Sequence, residues 1–235
     1  MNAFKGLGVA LATPFLDDQR IDFESLKRLI DHVIVGGVDY LVVLGTTGES
    51  ATLTASEKAQ VLKAAVEYNK GRVPLMLGLG GNATQKLIDE IEATEFYGVA
   101  GILSVSPYYN KPTQEGIYQH YKSLCEVTPL PIIIYNVPGR TGMNMTAETQ
   151  LRLAELPQIV ATKEASGNIE QVMQIIAKKP ADFLVISGDD SLTLPVMAIG
   201  GYGIVSVASH IIGIEMKQMI TYFLQGESAK ATQLH

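Results

Sequence analysis

The chain has 235 residues, of which 47% are hydrophobic, and its 18 lysines and arginines against 24 aspartates and glutamates give a formal net charge of −6. No basic cluster interrupts this acidic balance, so the usual signature of a nucleic-acid-binding protein is missing. No apolar run approaches the roughly 20 residues of a membrane span, no signal-peptide pattern opens the chain, and Cys125 is the single cysteine. These features predict a folded cytoplasmic protein that acts on small molecules.

Eight short apolar segments recur along the chain, each followed by turn residues and then by a helical pattern. In order, they read LGVALATP, YLVVLGTTG, VPLMLGLGG, AGILSVSP, LPIIIYNVP, IVATKEASG, FLVISGDD and YGIVSVAS. Apolar residues at helical spacing from Phe23 to Ile34 predict the first helix. The capping-box spacing at Thr54 and the residues Asn82 and Asn168 predict where three later helices begin.

Eight strand-then-helix units fit an α/β fold of the (β/α)8 TIM barrel type, which takes about 250 residues. A doubly wound open sheet produces the same alternation. That alternative lacks a strand-linked G-x-G-x-x-G, because the glycine-rich stretches at Gly78 and Gly200 have a different spacing and are typical of turns. No linker or low-complexity stretch divides the chain. We therefore predict a single barrel domain.

Lys163 places an amine directly after the strand-like run IVAT of the sixth apolar segment. The carboxyl ends of barrel strands line the active-site mouth. Tyr135 ends the fifth predicted strand, and neighbouring strands lie about 4.8 Å apart, so the phenol and the amine are expected to share one pocket. The alternative is that Lys163 extends to solvent or pairs with Glu164.

A lysine at an apolar strand end is suited to Schiff-base chemistry. Removal from water disfavours the ammonium form and lowers the pKa from its reference of about 10.4, so the lone pair can attack a carbonyl. Cys125 falls in a helical pattern and is expected to be a small buried hydrophobe. No metal or other cofactor is predicted, because the histidines are scattered and each is expected on the surface or packed. They are His32, His120, His210 and His235.

Four short motifs occur in order at the ends of predicted strands: GTTGES from Gly45, SPYYNKPTQEG from Ser106, YNVPGRTG from Tyr135 and KEASGN from Lys163. Together they closely resemble the dihydrodipicolinate synthase family of pyruvate-dependent class I aldolases. The resemblance covers nearly the whole chain and implies a catalytic (β/α)8 barrel over residues 1–225. Family members continue into a longer C-terminal helical segment. Residues 226–235 would be its start, and the rest is absent from this sequence.

The resemblance implies a lyase that condenses pyruvate with L-aspartate 4-semialdehyde to 4-hydroxy-tetrahydrodipicolinate, on the route to diaminopimelate and lysine, without a cofactor. Lys163 would form the imine with pyruvate. Tyr135, Thr46 and Tyr109 would relay protons, with Tyr109 reaching into the neighbouring subunit of a homodimer or homotetramer. The residues implied in substrate binding are Thr47 for the pyruvate carboxylate, Arg140 for the semialdehyde carboxylate, and Gly188 and Val205 on the seventh and eighth strands.

The residue types support these roles unequally. A tyrosine hydroxyl can donate and accept a proton, whereas a threonine hydroxyl passes one along but is a poor base. Without the resemblance, GTTGE is equally typical of a turn with a capping threonine, SPYYNKP of a loop with packed tyrosines, and Arg140 of an exposed turn. Gly188 and Val205 are compatible with ordinary barrel packing.

Two other functions are compatible with the sequence. Another pyruvate aldolase, such as a sialic acid lyase, would share the Schiff-base lysine but use a different aldehyde; those lyases lack PGRTG in this form. A non-catalytic barrel would bind a keto acid without forming an imine. Reduction with borohydride in the presence of pyruvate separates an enzyme from a binder, and a comparison of aldehydes separates the two enzymes.

The resemblance also bears on feedback inhibition by L-lysine, which inhibited members bind at the dimer interface. Four positions match that site: Ser50, Ala51, Asn82 and Tyr108. Three do not, because this chain has Ala55, Lys58 and Lys86 where inhibited members carry two histidines and a glutamate. An acidic partner for the ligand's amines is replaced by cations, so weak inhibition is expected.

Overall fold

Eight parallel strands close into a barrel in the computed structural model of the chain, which describes residues 2–235. The strands are neighbours in chain order, and the eighth pairs with the first. This closure confirms the (β/α)8 prediction, because an open sheet would leave two unpaired edges. The strands are β1 (Gly6–Ala10), β2 (Tyr40–Val43), β3 (Leu75–Gly78), β4 (Gly101–Val105), β5 (Ile132–Asn136), β6 (Ile159–Glu164), β7 (Leu184–Ser187) and β8 (Gly203–Ser206).

Helices surround the barrel, and two helices instead of one follow β5 and β8. No helix between residues 2 and 235 is both long enough and apolar enough to cross a membrane. The helices are α1 (Phe23–Val35), α2 (Ala55–Asn69), α3 (Thr84–Ala93), α4 (Gln114–Val127), α5 (Pro138–Thr141), α6 (Ala147–Ala154), α7 (Ile169–Lys178), α8 (Thr193–Ala198), α9 (Ser209–Leu224) and α10 (Ser228–Leu234). The boundary at residue 225 between the barrel and a C-terminal segment stays a prediction.

Two of the three predicted helix starts are confirmed. Thr54 forms a reciprocal capping box with Glu57 at the start of α2, and the side chain of Asn168 accepts from the N–H of Gln171 at the start of α7. The prediction for Asn82 is wrong. The N-cap of α3 is Ala83, whose side chain makes no capping hydrogen bond. The side chain of Asn82 does not cap this helix; its amide donates to the carbonyl of Tyr108 in the loop after β4.

The core has two layers, which follow from the alternation of side chains along each strand. Inward side chains such as Tyr40, Ile133 and Ile186 fill the barrel, and outward side chains pack against the apolar faces of the helices. On α1 the buried face consists of Leu26, Ile30 and Val33, as its periodicity predicts. Cys125 on α4 is buried, which confirms that prediction as well.

The pairing of β5 with β6 contains one register shift. Ile132 pairs with Ile159, but Ile133 pairs with Ala161, so β6 has one extra residue between the two pairs. On the carboxyl-terminal side of the shift, Tyr135 pairs with Lys163. A one-residue shift reverses which face of the sheet each later side chain occupies relative to its neighbour. The shift therefore places the phenol and the amine on the same, inner face.

Candidate active site

Lys163 lies inside the barrel at the carboxyl end of β6, one residue before the strand ends. Its side chain is almost fully buried, with 6% of the residue exposed, and its Nζ lies 4.2 Å from the centre of the Tyr135 ring. Tyr135 belongs to the inward layer and is itself buried. The structure thus brings together the two residues that were expected to share a pocket.

Burial sets the protonation of this pair. Desolvation lowers the pKa of Lys163 to about 8; the Asp190 carboxylate raises this pKa and the Arg140 guanidinium lowers it. Desolvation also raises the pKa of Tyr135, while Arg140 and the Thr46 side chain act in the opposite direction. At neutral pH the phenol is protonated, and roughly a tenth of the amine is neutral, far more than the reference pKa would allow.

The alternative reading of Lys163 as a solvent-exposed or Glu164-paired residue is wrong. Within residues 2–235 Lys163 makes no ion pair, and Glu164 points to the opposite face of β6, where it accepts hydrogen bonds from side-chain amides. The amine therefore has no carboxylate in direct contact that would hold it in its charged form.

Gly188 provides the space that the Lys163 side chain occupies. It lies just after β7, not on the strand as predicted, because β7 ends at Ser187. A Cβ at Gly188 would lie 2.9 Å from the Cε of Lys163 and 2.7 Å from the Cβ of Ala165, too close for any other residue. Val205 on β8 is fully buried in the inward layer.

Thr46 and Thr47 lie in a tight turn after β2. The turn contains hydrogen bonds from the N–H of Gly48 to the carbonyl of Gly45 and from the N–H of Glu49 to the carbonyl of Thr46, both 3.1 Å long. Leu44 precedes the turn with φ +59°, a conformation that is uncommon outside glycine. Thr46 is exposed and Thr47 is half-buried.

Gly78 at the end of β3 makes this turn possible. A Cβ there would lie 2.3 Å from the carbonyl oxygen of Leu44 and 2.7 Å from the nitrogen of Gly45. Thr13, in the loop after β1, holds the turn from the other side by donating to the carbonyl of Gly48 at 2.7 Å. The turn is therefore fixed by its two neighbouring strands.

A small cavity of about 60 Å³ connects the turn with the phenol. Both Thr46 and Tyr135 line it, which brings the predicted threonine to the predicted tyrosine. The cavity extends outward past Ser50 to an ion pair between Lys58 on α2 and Glu90 on α3, with Nζ and Oε1 3.2 Å apart.

Two charged residues beyond the strand ends shift the pKa of Lys163 in opposite directions. Arg140 lies in α5, is exposed and makes no ion pair within residues 2–235, so its guanidinium is free for a ligand. Asp190 follows β7; its Oδ2 accepts from the N–H groups of Val207 and Ala208 at 3.1 and 3.0 Å, while its Oδ1 is buried without a partner. The sequence patterns did not single out Asp190, although the acidic pair in SGDD was the available signal.

Tyr109 is not brought to the pocket by this chain. Its side chain is 88% exposed, and its φ of +74° is unusual for an aromatic residue. Its N–H donates to the carbonyl of Thr141 at 3.3 Å, which fixes the loop beside α5. The described residues contain no group of three histidine, cysteine, aspartate or glutamate side chains that could hold a metal ion.

The model of the dihydrodipicolinate synthetase family matches residues 3–235. The chain belongs to this family. The 4-hydroxy-tetrahydrodipicolinate synthase of Flavobacterium psychrophilum is 53% identical, with 100% of this chain and 80% of that protein covered. The synthase of Parabacteroides distasonis is 51% identical over 98% of this chain and 78% of its own. A solved dihydrodipicolinate synthase from Bacillus anthracis superposes with a TM-score of 0.96 at 47% identity, covering 100% and 80% of the two chains.

Membership of the dihydrodipicolinate synthetase family assigns the chain to the lyases of the class I aldolase type. Such enzymes form an imine between a lysine and a carbonyl substrate. In this structure the buried amine of Lys163 lies at the barrel mouth beside the Tyr135 phenol.

Proposed function

We propose that this chain catalyses the condensation of pyruvate with L-aspartate 4-semialdehyde through an imine at Lys163. The observation that carries the proposal is the buried amine, whose pKa is lowered to about 8 and whose Nζ lies 4.2 Å from the Tyr135 ring. The neutral amine attacks the keto carbon of pyruvate, and water leaves as the imine forms.

The later steps use the protonated imine as an electron sink. A proton leaves the pyruvate methyl group, and the resulting enamine carbon attacks the aldehyde carbon of the semialdehyde. The amine of the semialdehyde then attacks the imine carbon, which closes the ring and releases Lys163. Tyr135 is suited to move protons in these steps because its hydroxyl remains protonated at neutral pH, with Thr46 beside it as a relay.

The substrate carboxylates would be held by different parts of the mouth. Thr47 and the adjacent N–H groups of the turn after β2 would bind the carboxylate of pyruvate, since oriented hydroxyl and N–H donors suit an anion. The unpaired guanidinium of Arg140 would bind the carboxylate of the semialdehyde in a bidentate manner. Gly188 leaves room for Lys163, and Val205 closes the inner wall.

The proposal includes a homodimer or homotetramer in the cytoplasm. Exposure of Tyr109 supports the oligomer: its side chain is 88% exposed and does not line the cavity beside Tyr135, as expected of a residue that would complete a neighbouring site. A second tyrosine hydroxyl would then extend the relay formed by Tyr135 and Thr46.

The test is reductive trapping. Borohydride transfers hydride to the imine carbon and leaves pyruvate attached to the lysine as a stable secondary amine, so treatment in the presence of pyruvate should add mass to the peptide that contains Lys163. Lys163→Ala and Lys163→Arg should both abolish the addition, the latter because a guanidinium stays protonated. Labelling at the exposed Lys111, or no labelling, would contradict the proposal.

A further inference from the structure

Glu164, the residue after the imine-forming lysine, is a buried carboxylate without a cation. It is 4% exposed and makes no ion pair within residues 2–235. Its Oε1 accepts from the N–H of Ser166 at 2.8 Å and from the amide of Asn136 at 3.1 Å. Its Oε2 accepts from Asn136 at 3.1 Å, Gln150 at 2.7 Å and Gln171 at 3.1 Å. Neutral donors alone therefore compensate the charge.

The three side-chain donors come from separate elements: Asn136 from β5, Gln150 from α6 and Gln171 from α7. Their hydrogen bonds to one carboxylate tie both helices and the end of β5 to the end of β6. These bonds join the outer faces of β5 and β6 at the level where the inner faces carry Tyr135 and Lys163.

The orientation of each amide is fixed, because its carbonyl oxygen is already occupied by another donor. Such networks are sensitive to the loss of a single acceptor. The occupying donors are the hydroxyl of Thr162 at 2.7 Å for Gln150, the amide of Asn144 at 2.8 Å for Gln171 and the N–H of Met145 at 2.9 Å for Asn136. All three NH2 groups therefore face the carboxylate and cannot turn away without breaking a second bond.

A buried carboxylate costs folding free energy that an apolar side chain of similar size would not. The position of Glu164 at the paired ends of β5 and β6 indicates a structural role for this carboxylate. Asn136 pairs with Glu164 in the same register in which Tyr135 pairs with Lys163. The bond between Asn136 and Glu164 thus connects the two strands one residue beyond the reacting pair, on the opposite face.

The same cluster reaches the loop that carries Arg140. Asn136 precedes α5, and its amide donates to the side-chain oxygen of Asn144 at 2.9 Å while its own oxygen accepts from the N–H of Met145. Both ends of the loop 137–143 are therefore attached to the residue that Glu164 holds.

We infer that Glu164 is a positioning residue, whose carboxylate holds the ends of β5 and β6 so that Lys163 and Tyr135 face one pocket. The inference rests on the proposed imine chemistry. Glu164 itself touches no substrate, because its side chain lies outside the barrel wall.

Glu164→Gln is the test, because it preserves shape and replaces one acceptor oxygen by an NH2 group that opposes those of Gln150 and Gln171. The rate of borohydride-trapped imine formation at saturating pyruvate should fall by roughly tenfold or more, while the half-saturating pyruvate concentration changes by less than about threefold. The rate is expected to change more than the half-saturating concentration, because pyruvate recognition by the turn after β2 does not depend on the hydrogen bonds around Glu164. Glu164→Asp keeps two acceptor oxygens and should recover part of the rate.

Asn69→Ala is the matched control. Asn69 is also buried and hydrogen-bonds the backbone of Val73 in both directions, at 2.7 and 3.3 Å, but it lies at the end of α2. The Asn69→Ala substitution should lower the melting temperature without changing the rate of imine trapping. A folded Glu164→Gln that traps pyruvate at the wild-type rate, or an Asn69→Ala that loses as much rate, overturns the inference. If Glu164→Gln does not fold, Glu164→Asp and Gln171→Met, which removes one donor, decide by the same criterion.

A second measurement separates this inference from the proposed function. Trinitrobenzenesulfonate modifies amines without any substrate, and mapping by mass spectrometry gives the rate at Lys163 relative to exposed lysines. Glu164→Gln should accelerate modification of Lys163 by about threefold or more, because looser strand ends expose the buried amine, whereas Asn69→Ala should not. If wild-type protein is not trapped by pyruvate but this acceleration occurs, the proposed function fails and the positioning role stands; an unchanged modification rate counts against the positioning role.

Discussion

The Nζ of Lys163 lies 4.2 Å from the centre of the Tyr135 ring, and the two residues are partners in adjacent strands. An aromatic face attracts an ammonium group, whereas burial disfavours it. The pKa of Lys163 falls to about 8, with desolvation as its largest cause. Burial therefore prevails, and the pair provides a nucleophilic amine next to a protonated phenol.

Lys163→Met should stabilise the protein while abolishing imine trapping. The folded pKa of Lys163 is lowered from 10.5 to about 8, so folding opposes protonation. This penalty is fully present below pH 8, where it amounts to about 3 kcal/mol, and disappears as the pH rises from 8 to 10.5. Urea unfolding should show a gain at pH 7 that shrinks over that window. Lys86→Met, at an exposed lysine, should show no such pH-dependent gain.

Asp190→Asn should shift the pH dependence of trapping to lower pH. The Asp190 carboxylate raises the pKa of Lys163, and an asparagine oxygen can still accept from Val207 and Ala208. The rise in trapping rate with pH should move down by roughly half a unit or more. Asp189→Asn is the control, because that side chain bonds only to Ser191 in its own turn. A shift in the opposite direction would refute the electrostatic assignment.

Arg140→Ala should separate imine formation from binding of the second substrate. Trapping of pyruvate should persist, but the KM for aspartate semialdehyde should rise roughly 10- to 150-fold, because a charge-assisted contact of about 1.5–3 kcal/mol is lost. Arg152→Ala serves as the control, since Arg152 pairs with Glu115 on the outer surface at 3.0 Å. An unchanged KM for the semialdehyde in Arg140→Ala would remove this residue from the site.

Tyr109 should act in the site of a neighbouring subunit. Lys163→Ala and Tyr109→Phe should each be nearly inactive, but mixing the two variants under conditions of subunit exchange should restore activity, because some mixed dimers contain one intact site. Activity should also require at least a dimer at the assay concentration, as measured by sedimentation. A fully active monomer, or a mixture without recovery, would show that Tyr109 has no role across an interface.

L-lysine should inhibit the enzyme poorly. Lys58 lies in the cavity beside Ser50 and pairs with Glu90 at 3.2 Å, so a carboxylate that could hold the ligand's ammonium is already occupied by a cation. Initial rates should change little at millimolar L-lysine. Lys58→Ala frees Glu90 and should increase the response, whereas Lys63→Ala, at an exposed position of the same helix, should not. Submillimolar inhibition of the wild-type enzyme would contradict this expectation.

The eight strands and two of the three predicted helix starts follow from the residue pattern alone. Short β-branched runs separated by amphipathic periods leave few ways to bury their apolar faces, and a barrel is one of them. A lysine at the end of such a run is anomalous for packing, so the residue pattern was sufficient to single out Lys163 as a candidate site residue. The Asn82 prediction failed because a loop contact with Tyr108 competes for the same side chain.

The pairing of Lys163 with Tyr135 depends on how the strands pack in the closed barrel. Continuing the pairing of Ile132 with Ile159 would have placed Lys163 opposite Asn136; the one-residue shift that follows places it opposite Tyr135 instead. Register depends on how two whole strands and their helices pack, and a shift by one residue reverses the face of every later side chain. The charge of Asp190 near the amine likewise depends on residues that meet only after the barrel closes.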